Sequence, residues 1–97
     1  MTATLCAIVA AHAAVDDYRT TGIYAERALE CFRDSMMSSS VHSPYLVPVL
    51  QLMIRMSWKI GRDKRRYETK LDELRNDNVD VDSAPTLLEL VVKRFYR

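Results

Sequence analysis

Glycine and proline are scarce in this chain, two and three residues in 97. That scarcity argues against a turn-rich sheet and favours helix. Cysteine is equally sparse: Cys6 and Cys31 give no disulfide framework, so a reduced, cytoplasmic setting is the simpler expectation. Cys6, His12, Cys31 and His42 lack the short-spaced pairs that hold a tetrahedral metal, and no metal or other cofactor is predicted. No Gly-x4-Gly-Lys-Ser/Thr run is present to cradle a nucleotide phosphate. Nothing in the sequence suggests a base-orienting group or oxyanion donors beside a nucleophile, so an enzyme is not expected. No apolar run approaches the length of a membrane span. The opening Met1–Ala11 has the look of a leader, but it lacks a basic start and leads straight into a helical pattern. The formal net charge is only +1, and no aromatic platform interleaves the basic residues, which argues against nucleic acid as a partner.

What remains is apolar residues at helical spacing. They make up 48 % of the chain, enough for one small core in a single domain spanning 1–97. Leu5, Ile8, His12 and Val15 recur on one face, and Tyr24, Ala28, Phe32 and Met36 on another. The connection between these two patterns is short enough to demand an antiparallel hairpin. Gly22 is the expected break, flanked by Tyr18 and Tyr24. A longer stripe runs through Leu46, Leu50, Met53, Ser57, Ile60, Lys64, Tyr67, Leu71 and Leu74, with Gly61 as its one weak point. Thr86 and Glu89 fit a capping box that opens a last helix, docked through Leu87, Leu88, Val91 and Phe95. The predicted helices are therefore about 3–19, 23–37, 47–76 and 86–96. The expected fold is all-α, an antiparallel three-helix bundle with an additional short C-terminal helix.

Two features of the long segment suggest a partner site. From Val47 to Ile60 apolar residues occur all round the helix, more than three short helices can cover. Between Arg55 and Arg75, eight basic residues stand against four acidic ones. The plain reading of that run is a solvated face laced with pairs such as Lys64–Glu68. The functional reading joins both features: Met53, Ile54 and Trp58 anchor a protein partner, and Arg62, Lys64, Arg65 and Arg66 steer its acidic surface. Whether Trp58 belongs to the core or to an interface is open at this level, as is the oligomeric state.

Asp17-Tyr18, three further residues, then Gly22-Ile23-Tyr24 resembles the microtubule-interacting-and-transport (MIT) family, and within it the N-terminal domain of the catalytic subunit of katanin. Leu5, Ile8, the closing Met36-Met37 and Leu71-Asp72-Glu73-Leu74 continue that likeness over about residues 4–75. Arg27 stands where the family has a small residue, and the Ala-rich first helix and the last helix have no counterpart. The resemblance implies a three-helix targeting domain, cytoplasmic and cytoskeleton-associated, for a microtubule-severing ATPase. It would bind the helical domain of a regulatory subunit and contribute to contact with tubulin's acidic tails. The same Tyr-x3-Gly-x-Tyr spacing suits tetratricopeptide-like hairpins. A generic small helical adaptor, or a small viral helical protein, acting through a groove or dimer interface is the alternative.

Overall fold

The computed structural model describes residues 2–36, 45–61 and 63–95. Within them lie α1 (Thr2–Ala14), α2 (Tyr18–Met36), α3 (Leu46–Ile60), α4 (Lys64–Asn76) and α5 (Leu87–Phe95), and no strand. The all-helical class is as expected. The turn between α1 and α2 and the division of the third segment are not, whereas the starts near 3, 47 and 86 and the end at 76 fall within one residue.

α1 carries no Asp, Glu, Lys or Arg, because it is covered from two directions, by α2 and by α5. Cys6, Val9 and Ala10 on α1 are buried, as are Ala25, Ala28 and Phe32 on α2. The small side chains let the two backbones approach closely. The expected break at Gly22 is corrected here: Gly22 is buried inside α2, and α1 stops at Ala14 rather than near residue 19. Asp16 adopts a left-handed backbone, φ 59°. Its N–H donates to the Ala13 carbonyl and that of Asp17 to the His12 carbonyl, a Schellman motif. Asp17 then caps α2, accepting from the Thr20 N–H at 3.3 Å. Aspartate is one of the few residues that tolerate the left-handed region, so the Asp16-Asp17 pair ends one helix and starts the next. The predicted end of this helix at Met37 lies outside the described residues.

The segment predicted as helical over 47–76, with a break at Gly61 left open, is two helices. Gly61, φ 79°, takes the left-handed position after α3, and its N–H donates to the Ser57 carbonyl at 2.9 Å. Asp63 caps α4 by accepting from the Arg65 N–H at 3.0 Å. A glycine stop followed two residues later by an aspartate start outweighs the continuity of the apolar stripe. Pro48 is harmless as the third residue of α3, where a backbone N–H has no intrahelical partner. α4 lays Tyr67, Leu71 and Leu74 into the core and packs against α3. It ends in a second Schellman motif: Asn78 is left-handed, φ 65°, and the Val79 N–H donates to the Leu74 carbonyl.

The acidic connector after α4 is tied down. Val81 is buried, and its carbonyl accepts from Gln51 Nε2 of α3 at 2.9 Å. Thr86 Oγ1 accepts from the Glu89 N–H, as the capping pattern predicts. α5 docks on α1 and α3 through Leu87 and Val91. Leu88, expected in that contact, is 54 % exposed, because neighbours on a helix point about 100° apart. The side chain of Phe95 lies outside the described residues.

Candidate partner-binding surface

α3 sorts its own residues. Val49, Leu50, Met53, Met56 and Ser57 face the core, and Met53 is fully buried. Met53 is therefore a packing residue, a correction to its predicted place in the partner site. Ile54 is half-buried, and Trp58, one turn on, is 77 % exposed. The first turn of α3 is enclosed all round, Leu46–Leu50 being buried, and its uncovered side opens towards the end of the helix, where the indole lies.

Trp58 is bordered by a cross-element contact with no local sequence signal. The Lys59 ammonium sits 5.0 Å from the Trp58 ring centre and 4.4 Å from that of Tyr18. It donates to Tyr18 Oη at 2.6 Å, which donates to Asp16 Oδ1 at 3.0 Å. This chain of bonds ties the end of α3 to the α1–α2 turn, 41 positions away in sequence. Tyr18, expected to flank a break at Gly22, is instead the first residue of α2 and reaches back to the Asp16-Asp17 turn through its hydroxyl.

The basic segment does not act as one patch. Lys64 and Arg65 are exposed at the start of α4, and Lys64 pairs with Glu68 at 4.0 Å. Arg66 leaves that group: its guanidinium pairs with Glu26 of α2 at 3.3 Å and lies over the Tyr67 ring. Tyr67 Oη donates to the same carboxylate, so α4 is braced to α2 at this point. Arg62 lies outside the described residues. What assembles around Trp58 is thus an exposed indole, the edge of Ile54, and the cations of Arg55 and Lys59 on its own helix. Lys64 and Arg65 follow directly after the Gly61 stop.

The other titratable groups read as structural. Burial, then the nearby Cys31, pushes the Cys6 thiol up to about 12, so it stays protonated as a small core side chain. Asp17 is held below the usual carboxylate range, first by its bonds to Thr20 and then by His12 at 3.2 Å. Tyr24 stacks on His12 in near-parallel rings. Among the described residues no three His, Cys, Asp or Glu side chains gather as a metal site would need. Among them, too, no helix is long and apolar enough to cross a membrane.

No family model matches the chain, and no solved structure matches it. The chain is similar to sorting nexin-21 of Homo sapiens, 32 % identical over 90 residues, and to sorting nexin-21 of Mus musculus, 30 % identical over 90. The likeness takes in 93 % of this chain but only 23 % of each relative, so the chain spans less than a quarter of their length. Nothing in these likenesses bears on microtubule proteins.

Proposed function

We propose that this chain is a non-catalytic protein-interaction module that anchors its partner on Trp58. The exposed indole is the observation that carries the reading. Tryptophan is among the residues that most often hold an interface together, because its desolvation is worth more than that of any other side chain. Arg55, Lys59, Lys64 and Arg65 raise the encounter rate of an acidic partner, and Ile54 extends the apolar footprint. Met53 contributes only by supporting α3 from within.

The likeness to sorting nexin-21 supports a protein-sorting setting for this helical unit. A microtubule-severing setting is the second reading. It draws on the Asp17, Tyr18, Gly22 and Tyr24 register, and the acidic tails of tubulin would meet the same cations. The break at Gly61 departs from the unbroken third helix that this setting implies.

Affinity purification with the wild-type chain, Trp58→Ala and Arg65→Glu, followed by titration of each recovered protein in pure form, tests the proposal. A genuine partner is lost with Trp58→Ala at every salt concentration. With Arg65→Glu it weakens mainly at low salt, where exposed charges are least screened. Binding that survives Trp58→Ala places the site elsewhere. Purified tubulin that binds in a Trp58-dependent way moves the setting to the cytoskeleton.

A further inference from the structure

Arg66, displaced from the Trp58 surface, borders a separate concavity. A groove of about 500 Å³ runs between α2 and α4, within the size range of ligand clefts, ~300–1,000 Å³. Phe32, Leu46, Leu50 and Tyr67 lie beneath it, each only 2 % exposed, and half-buried Leu29 is the apolar side chain that reaches its surface. Its two walls differ in charge. Along α4 stand Arg66 and Lys70, one helical turn apart, whereas α2 presents Glu26 and Glu30, with Arg33 a turn beyond. The bonds from Arg66 and Tyr67 to Glu26 join the two walls and fix their spacing before any ligand arrives.

We infer that this groove seats an amphipathic helix of a partner protein whose acidic flank lies along α4. Leu29 and the aliphatic stems of Arg66 and Lys70 supply its apolar contact between two helices, an arrangement that receives the apolar stripe of a third. The flank is assigned by charge. Glu30 repels an acidic row on the α2 side, and Lys70 on α4 attracts it, Arg66 being already paired with Glu26. Lys70 is available because its pair with Glu73, at 3.5 Å, is exposed and therefore weak. A lone apolar anion would satisfy the α4 wall and ignore the carboxylates opposite. An amphipathic helix fits both walls. Trp58 does not line this groove, so the inference stands apart from the proposed function.

Two synthetic helical peptides serve as probes, each with a stripe of Leu and Phe. One carries Glu along one flank, the other Lys at the same positions, and all remaining sites are Gln or Ala. Fluorescence anisotropy of the labelled peptides is read against the full chain. The Glu peptide binds saturably and about tenfold more tightly than the Lys peptide. Lys70→Glu, a change at a half-buried surface site, removes or reverses that preference. Leu29→Glu abolishes binding of the Glu peptide, and Trp58→Ala leaves it unchanged. Equal binding of the two peptides, no saturable binding, or a preference that survives Lys70→Glu overturns the inference. So does self-association of the chain that Leu29→Glu abolishes, which makes a second copy the occupant.

Discussion

Asp16, Gly61 and Asn78 are the residues with positive φ among those described, and each follows the end of a helix. At Gly61 a built Cβ would meet no atom within 4 Å, so only the backbone conformation is at stake there. Gly61→Ala is expected to cost about 1–2 kcal/mol in urea unfolding, and Gly61→Asn distinctly less, since Asn visits the left-handed region. Equal stability for the two variants would count against the stop. Asp17 gives a pH signature. Its carboxyl is held below the ordinary aspartate value of 3.8 by the Thr20 bonds, so the folded state binds fewer protons there than the unfolded one. The stabilisation is fully present above that value and is lost as pH falls through the lower, folded-state pKa. Asn also caps helices but does not titrate. The gap in melting temperature between wild type and Asp17→Asn should therefore change as pH falls through the acid range. A gap that stays constant there would remove the capped carboxylate from the account.

At the scale of elements, α5 offers a register test. Leu87 is 3 % exposed and Leu88 54 %. Leu87→Ala is expected to cost about 2–5 kcal/mol and Leu88→Ala under about 0.5 kcal/mol, measured by chemical unfolding. Similar costs would mean that α5 docks through a different face. The existence of the helices was legible in the sequence, because periods of three and four survive wherever one face is buried. The Thr86 cap was legible too. The stops were misplaced, for a physical reason. Gly22 looks like a break, yet one glycine inside a packed helix costs only about 1 kcal/mol, and Asp16-Asp17 supplies both a left-handed residue and a cap. At Gly61 the apolar stripe argued for continuity, since residues on both sides of the break face the same core.

The whole molecule shows why the partner surface was only half legible. Helical spacing predicted that α3 had more apolar surface than its neighbours could cover, but not which residues would be left over. Met53 went inside and Trp58 outside because α2, α4 and α5 approach α3 from particular directions. The Lys59–Tyr18 contact and the Glu26 brace join residues 41 positions apart, and no local pattern encodes such pairs. The basic run divided for the simpler reason that successive residues of a helix fan out around its axis. Tyr67→Phe, which removes one bond to Glu26, is expected to lower stability by about 1.5–3 kcal/mol in urea unfolding, as for a bond to a charged group. It should also reduce binding of the acidic helical peptide. Unchanged stability would remove the brace from this picture.

The account turns on Trp58 lying in water while the chain is folded. Trp58 is the only tryptophan, so its fluorescence reports on that one position. Acrylamide quenching of the native and urea-unfolded chain measures its exposure, and a titration with the Trp58-dependent partner measures its burial. The account predicts that the native indole is nearly as accessible to quencher as the unfolded one. On binding, its emission should shift to the blue and its quenching should fall. A native emission that is already blue and protected would contradict it, because Trp58 would then be part of the core.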